Sequence, residues 1–154
     1  VDNYIYILNV RFAGDIHFSK KVECDVENVR VPSMILQPVV ENAVNHGIRN
    51  IDWEGHIDLS VERWNDHIEI SVRDNGLGMT GEQIQRVLSK KVHSSSGEGD
   101  STGIGMNNVI SRLELYYERD GLMEIYSEGE GMGTEVVINI PLERSEKNVQ
   151  NPDC

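Results

Sequence analysis

A ten-residue segment in the first third of the chain, PVVENAVNHG, mixes apolar positions with four polar side chains. Residues 38–47 contain Glu41, Asn42, Asn45 and His46, and helical spacing puts the last three on one side. An amide oxygen such as that of Asn42 is a hard ligand, suited to Mg²⁺ that also takes phosphate oxygens and water. The commoner alternative is the solvent-exposed face of an amphipathic helix, and the segment alone leaves both open.

A second polar group ends a strand-like segment, ISVRDNGLGM. Aliphatic residues at 68, 70 and 72 alternate ahead of Asp74, so its carboxylate is predicted to face the core. A buried carboxylate is unfavourable unless groups donate hydrogen bonds to it. Gly76 and Gly78 remove side chains where a flat ring could lie against the backbone. The alternative is that Asp-Asn-Gly forms only a turn.

A third segment, DSTGIGMNNV, places Gly103 and Gly105 ahead of a predicted helix. Free amides at a helix N-terminus can face an anion, aided by the positive end of the helix dipole. Asp100 and Ser101 could instead be capping residues only. No Gly-Lys-Ser/Thr follows, so the segment is not a P-loop, and it lacks the third glycine of a dinucleotide fingerprint.

Alternating patterns predict the strands that carry these groups. DIHFSKKVEC, HIDLSVERW and HIEISVRD alternate with a period of two, and Asn65-Asp66 predicts a hairpin turn between the last two. LMEIYS and TEVVINIPL predict a closing hairpin around the glycine-rich EGEGMG. Residues 89–102 are small and polar and predict a mobile loop.

Three segments have helical patterns. The first runs from about residue 33 to 46, with Pro38 near the first position of a fresh helix and Gly47 as its stop. The second has a capping box formed by Thr80 and Gln83, and the third is GIGMNNVISRLELYY. Together the elements predict an α/β two-layer sandwich, with helices on one face of a mixed, mostly antiparallel sheet.

Composition narrows the class of partner. The chain has 154 residues, 38% hydrophobic, and a formal net charge of -12, which is the balance of a folded acidic domain. This negative net charge argues against nucleic acid as a binding partner and against direct contact with an anionic membrane surface. No apolar run reaches the ~18 residues of a membrane span. Neither a CxxC zinc site nor a redox dithiol is present, since the two cysteines are the 24th and the last residues.

In this order, the three segments resemble the ATP-binding domain shared by sensor histidine kinases, DNA gyrase, the ninety-kilodalton heat-shock chaperones and the mismatch-repair ATPases. LQPVVENAVNHG is similar to the N box, DNGLGM to the first glycine box and TGIGMNNV to the second. RF at 11–12, VPSMILQPVVENAVNHGI, GIGMNNVISRL and GTEVVINIP resemble the LytS-like branch of sensor histidine kinases. The resemblance runs from about Arg11 to Pro141 and implies the Bergerat-type ATP-binding fold.

The resemblance also implies which residues bind nucleotide. In such domains the adenine amino group donates a hydrogen bond to the aspartate of the first glycine box, here Asp74, and the threonine of the GT turn, here Thr134, shares that network. Gly76 and Gly78 would leave room at the adenine, and residues 89–102 would form the ATP lid. The full set implied is Asn42, Asn45, His46, Asp74, Gly76, Gly78, Met79, Thr102, Gly103, Ile104, Gly105, Met106 and Thr134.

The same resemblance makes Asn42 the Mg²⁺ ligand and, with Glu41, the catalytic candidate. Hydrolytic relatives carry a glutamate base four residues earlier, where this chain has Pro38. Without that base, phosphoryl transfer to a protein is favoured over ATP hydrolysis. Asn45 stands where close relatives often have Lys, which removes a cation from the phosphate region.

Family members place the phosphoacceptor histidine upstream, in a dimerising helical segment that this sequence lacks. We therefore expect residues 1–12 to be the remnant of a connecting helix, 13–142 the ATP-binding catalytic domain and 143–154 a disordered tail. The expected parent is a membrane-anchored sensor with this domain in the cytoplasm and a response regulator as partner. The fragment is expected to bind Mg²⁺ and ATP without phosphorylating itself.

Three other functions stay open at this point. A hydrolytic ATP-driven clamp of the gyrase or chaperone type is disfavoured by Pro38. A serine kinase that inhibits a sigma factor has similar boxes but lacks the RF and LQPVVENA framing. A degenerate nucleotide-binding regulator, which has lost phosphoryl transfer, is made conceivable by Asn45.

Overall fold

The computed structural model describes most of the domain. The remnant expected at 1–12, the tail expected at 143–154 and Cys24 lie outside the described residues, as do residues 90–100, the greater part of the expected lid. At His46 and at residues 101–105 the backbone is described without the side chain. The described ranges are 16–22, 35–48, 51–89 and 101–142.

Five strands of the described chain form one mixed sheet. They are β1 (Ile16–Val22), β2 (Gly55–Arg63), β3 (His67–Asp74), β4 (Met123–Tyr126) and β5 (Thr134–Pro141). Their order across the sheet is β1-β2-β3-β5-β4, with β1 parallel to β2 and every other neighbouring pair antiparallel. The predicted mixed, mostly antiparallel sheet is confirmed.

Both predicted hairpins are present. Between β2 and β3 the chain turns at Asn65-Asp66, and the Trp64 N–H donates to the His67 carbonyl at 2.8 Å. Between β4 and β5 it passes through the glycine-rich loop 127–133. The β2–β3 turn lies at the end of the strands remote from Asp74, so it does not form part of the candidate site.

The first helix differs from the prediction in its second half. Helix α1 (Leu36–Asn42) has Pro38 in its first turn, where the missing N–H has no intrahelical partner to lose. The chain then continues as a π-helix over Ala43–Ile48. Gly47 was predicted to end the helix, and this is wrong, because it lies inside the π-helix and packs against the sheet.

Two further helices follow. Helix α2 (Gly81–Leu88) begins with the predicted capping box: the Thr80 hydroxyl accepts from the Gln83 N–H at 3.2 Å, and the Gln83 side chain accepts from the Thr80 N–H at 2.9 Å. Helix α3 (Ser101–Tyr117) begins earlier than predicted, so the last two residues of the predicted 89–102 loop are helical.

The core lies between the helices and one face of the sheet. Outward positions of β2, such as His56 and Asp58, are exposed, whereas alternate residues point inward. The predicted two-layer α/β sandwich is therefore confirmed. The inward side chains buried to below 5% exposure include Val39, Val40 and Val44 from the first helical segment, Ile57, Ile68, Ile70, Val72, Ile138 and Ile140 from the sheet, and Met106, Val109 and Leu113 from α3.

Candidate functional site

Asp74 is the last residue of β3, and only 6% of it is exposed. Across the sheet it lies opposite Thr134 on β5, which is equally buried. Its Oδ1 accepts from the Gly76 N–H at 2.9 Å, and the Thr134 backbone N–H also donates to the carboxylate. Burial raises the pKa of Asp74 from 3.8 to about 6, although these two N–H groups oppose the rise. The predicted inward carboxylate is confirmed.

The π-helix approaches this carboxylate through a residue without a side chain. A Cβ placed on Gly47 would lie 2.7 Å from Asp74 Oδ1, so only glycine allows the backbone this close. The Gly47 carbonyl accepts from the Leu77 N–H at 2.9 Å. Isolated π-helical turns occur frequently at functional sites. Here the turn brings the polar helix segment against the end of β3.

Gly76 and Gly78 are required by the protein's own backbone. A Cβ on Gly76 would lie 1.9 Å from the Gly47 carbonyl oxygen, and one on Gly78 would lie 2.1 Å from the Gly129 carbonyl oxygen. Gly78 also has a φ of +74°, a conformation that favours glycine. Backbone atoms thus fill the space that a side chain would occupy at each glycine, and the expectation that the two glycines also leave room for the adenine stays a prediction.

The loop between β4 and β5 supports the same region through one hydroxyl. Ser127 Oγ donates to the Gly133 carbonyl at 2.7 Å and accepts from the Met79 N–H at 3.0 Å. The Gly133 N–H donates to the Gly76 carbonyl at 3.1 Å. A Cβ on Gly133 would lie 2.1 Å from the Asp74 carbonyl oxygen, and its φ is +76°. The end of β3 is therefore held by backbone contacts from two other segments.

The polar residues of the first helical segment lie in different environments. Asn42 ends α1 and is half-buried; its Oδ1 is inaccessible to solvent and has no hydrogen-bond partner among the described residues. Glu41 is half-buried and accepts weakly from Gln37 Nε2 at 3.5 Å. Asn45 is exposed on the π-helix, and His46 lies beside it, with only its backbone described. An orphaned buried acceptor is unfavourable, so Asn42 is the member of this group best prepared to receive a cation or a donor.

The two glycines of helix α3, Gly103 and Gly105, lie near its N-terminus. Thr102, Gly103, Ile104 and Gly105 lie within the first five residues of the helix, which begins at Ser101. The expectation that both glycines precede the helix is therefore wrong. The N–H groups of the N-cap and of the first three residues of a helix lack intrahelical partners, so the amides available to an anion include that of Gly103, and those of Ile104 and Gly105 are not among them.

The two methionines of the predicted set lie differently. Met106, near the start of α3, is buried in the core with 1% of it exposed. Met79 is half-buried, packs against the core and is fixed through its backbone by Ser127. The structure thus brings together Asp74, Gly76, Gly78, Met79 and Thr134 at one end of the sheet, while α3 residues 102–105 belong to a separate element.

The described residues suit a magnesium ion only where phosphates and water supply most of its ligands. No group of three or more His, Cys, Asp or Glu side chains that could hold a metal occurs among them. The Asn42 oxygen, and the Asn107 oxygen on the neighbouring helix α3, are buried acceptors without a partner. Mg²⁺ often uses one or two protein oxygens with phosphates and water, so a metal carried by a nucleotide fits this part of the protein.

Three contributors escaped the sequence prediction: Gly47, Ser127 and Trp53. Gly47 touches the Asp74 carboxylate, Ser127 joins the two glycine-rich segments, and Trp53 Nε1 donates to the Asn75 carbonyl at 2.8 Å. Each acts on residues distant in sequence, so no local pattern marks it. The only available signal was the density of glycines, which indicates close backbone approach.

Comparison with known proteins identifies the family. Residues 31–144 match the model of the histidine kinase-, DNA gyrase B- and HSP90-like ATPases. The chain belongs to this ATPase family. The match begins before α1 and extends past β5, so it includes every element of the candidate site.

Individual relatives agree with the family. The chain is 31% identical over 152 residues to the sensor histidine kinase YpdA of Escherichia coli, covering 94% of this chain and 24% of that protein. It is 30% identical over 145 residues to the sensor histidine kinase/phosphatase LytS of Staphylococcus aureus, again covering 94% and 24%. The chain therefore spans about a quarter of the length of these relatives.

Solved structures show the same fold. The catalytic domain of histidine kinase ThkA has a TM-score of 0.64 at 19% identity, with 90% of each chain covered. The mycobacterial sensor histidine kinase MprB has a TM-score of 0.63 at 20% identity, covering 91% of this chain and 90% of that one. Within the described part of this chain, no helix is long and apolar enough to cross a membrane.

Proposed function

We propose that the chain is the ATP-binding catalytic domain of a LytS-like sensor histidine kinase, which transfers the γ-phosphoryl group of ATP to a histidine on a dimerisation segment. The observation that carries this is the buried Asp74 carboxylate at the end of β3. It supports recognition of a purine amino group. The parent sensor would be membrane-anchored with this domain in the cytoplasm, and a response regulator would receive the phosphoryl group.

We call the part of the site around Asp74 the base end, and its proposed selectivity follows from hydrogen-bond chemistry. A pKa of about 6 leaves Asp74 ionised at neutral pH, so the carboxylate only accepts hydrogen bonds. The adenine amino group is a donor, whereas the carbonyl at the same position of guanine or hypoxanthine is an acceptor. A buried site built to accept a hydrogen bond rejects a ligand that lacks the donor, because its own polar group then stays unpaired. Asp74 would thus select adenine.

The phosphate end would use Asn42 and the start of α3. The Asn42 oxygen would hold Mg²⁺, which neutralises phosphate charge when bound. Backbone amides up to Gly103 at the N-terminus of α3 would face the triphosphate, with the helix dipole favouring an anion there. The two contacts on either side of the triphosphate would orient it for in-line attack.

Phosphoryl transfer requires little covalent chemistry from this chain. An imidazole nitrogen of the acceptor forms a bond to the γ-phosphorus while the bond to the bridging oxygen breaks, and ADP leaves with that electron pair. Glu41, next to Asn42, is half-buried and would polarise the site. Pro38 occupies the position of a water-activating base in hydrolytic relatives, so transfer to a protein is favoured over hydrolysis.

A labelling experiment tests this function. The chain is incubated with Mg²⁺ and γ-labelled ATP, with or without a separately purified dimerisation segment of a LytS-like kinase. The proposal expects label on the segment's histidine, little label on the chain alone and no steady release of phosphate. Steady phosphate release without an acceptor would instead support a hydrolytic clamp. Nucleotide binding without transfer to any acceptor segment would support a degenerate regulator, for which the exposed Asn45 gives a reason.

A further inference from the structure

One peptide group beside the Asp74 carboxylate is held from both sides. The carbonyl oxygen of Asn75 accepts from the Trp53 indole N–H at 2.8 Å. The N–H of the same peptide, which belongs to Gly76, donates to Asp74 Oδ1 at 2.9 Å. The indole, the peptide and the carboxylate therefore form a continuous chain of hydrogen bonds that ends on the base-reading group.

The loop that carries Trp53 is itself fixed to Asn75. Asn75 Oδ1 accepts from the His56 N–H at 2.7 Å, and Asn75 Nδ2 donates to the Glu54 carbonyl at 2.8 Å. A third bond joins the Asn75 N–H to the His56 carbonyl at 3.2 Å. Although Trp53 is 43% exposed, these three bonds fix the backbone next to it, and its own indole N–H is bonded to the Asn75 carbonyl.

We propose that Trp53 is a positioning residue for base recognition: its indole N–H fixes the Asn75–Gly76 peptide, which in turn orients the Asp74 carboxylate toward the adenine amino group. Hydrogen bonds in a chain polarise one another, so a donor on the peptide oxygen strengthens the peptide N–H as a donor. The inference rests on the proposed role of Asp74 as the adenine-reading residue.

Other charged groups near Trp53 decide which measurement is informative. Glu54 contacts His17, and its Oε2 lies 4.0 Å from His56 Nε2. The rings of the two histidines are stacked with centroids 5.0 Å apart. Because these groups adjoin the segment that carries Trp53, the test compares two bases at a single pH.

The test compares the affinities of ADP and IDP, which differ at the position that Asp74 would read. The chain contains two tryptophans, so Trp64→Phe is a matched control for Trp53→Phe. Trp64 is 52% exposed, stacks on His67 at 6.1 Å and lies at the far end of β3 from Asp74. The loss of one hydrogen bond should reduce the ADP preference of Trp53→Phe by about threefold to tenfold, with Trp64→Phe unchanged. An unchanged preference in Trp53→Phe would overturn the inference.

A third variant separates the inference from the function on which it rests. Asp74→Asn should abolish the ADP preference; if the preference survives, the base-reading role of Asp74 fails and the inference fails with it. If Asp74→Asn loses the preference and Trp53→Phe keeps it, only the inference fails. The amide resonance of Gly76 gives an activity-independent reading. It should shift in Trp53→Phe and not in Trp64→Phe, and no shift in either would overturn the inference.

Discussion

The two ends of the candidate site are built in different ways. At the end of β3, Asp74 is satisfied by N–H groups of Gly76 and Thr134, and the adjacent backbones of Gly47 and Gly133 touch it closely. At the end of α1, Asn42 presents a buried oxygen with no partner. At the first end the carboxylate is hydrogen-bonded within the protein. At the second end the buried Asn42 oxygen would gain a partner only from a bound ion or ligand.

This difference predicts different consequences of substitution. Residues at the base end contribute to the fold as well as to the proposed recognition, so changing them should alter stability even without nucleotide. An orphaned acceptor contributes nothing favourable to the free protein, so changing Asn42 should affect binding while leaving stability unharmed.

The largest effect is expected for Gly76→Ala. The new Cβ would lie 1.9 Å from the Gly47 carbonyl oxygen, a backbone atom that cannot move without shifting the π-helix. We expect a loss of about 3 kcal/mol or more in the free energy of unfolding, measured by urea denaturation. Gly81→Ala is the matched control, because nothing lies within 4 Å of its Cβ. Equal stability of the two variants would show that the close approach does not exist.

The second prediction concerns Asp74→Asn and pH. Because the folded-state pKa of Asp74 is raised to about 6 from 3.8, its contribution to stability is fully present below pH 3.8 and is lost as the pH rises through 6. Asn lacks this titration. We therefore expect Asp74→Asn to gain about 1–3 kcal/mol relative to wild type between pH 4 and 7.5, measured by denaturation at each pH.

The control for the pH experiment is Asp58→Asn, which removes an exposed carboxylate from β2. Its stability difference from wild type should change much less over the same pH range. A pH-independent difference for Asp74→Asn would mean that the carboxylate is not desolvated.

The third prediction concerns Asn42→Ala. Removing the unpaired oxygen should leave the free energy of unfolding unchanged or slightly higher, while the magnesium-dependent part of ATP affinity falls by about 1–3 kcal/mol. Calorimetric titration with and without Mg²⁺ measures the second quantity. The control is Asn108→Ala, which changes an exposed asparagine on α3. A destabilised Asn42→Ala protein with intact magnesium dependence would reverse the comparison between the two ends.

The smallest effect is expected for Ser127→Ala. The hydroxyl donates to the Gly133 carbonyl and accepts from the N–H groups of Met79 and Gly129, so its loss leaves three backbone groups to find other partners. We expect a loss of about 1 kcal/mol in the free energy of unfolding. Ser60→Ala on β2 serves as control, since Ser60 lies opposite Ser71 in the sheet, away from Asp74 and from the loop 127–133. Equal effects of the two changes would show that the Ser127 hydroxyl does not stabilise the base end.

The sequence predicted the groups whose pattern is local. Alternation along β3 placed Asp74 on the inward face, and the spacing of Thr80 and Gln83 predicted a capping box that the structure contains. Both follow from fixed periodicities of strands and helices, which the nearest neighbours in sequence determine. Asn65-Asp66 likewise predicted its hairpin.

The sequence did not predict what depends on contacts between distant segments. The π-helix at Ala43–Ile48 has the same residue pattern as an α-helix, and its altered winding accompanies the packing of Gly47 on Asp74. Trp53 acts through one bond to a backbone atom 22 residues away. Ser127 acts through bonds to a backbone atom 48 residues away and to another across a glycine-rich loop. Such bonds leave no periodic trace, and only the three-dimensional arrangement shows them.

The most direct test of the account measures the affinity of wild type, Asp74→Asn and Asn42→Ala for ATP and ITP, each with and without Mg²⁺. The account predicts that Asp74→Asn loses the preference for ATP over ITP and keeps its dependence on Mg²⁺, and that Asn42→Ala loses the dependence and keeps the preference. If each substitution lowers both quantities equally, or if neither changes either, the assignment of one residue to the base and the other to the metal is contradicted.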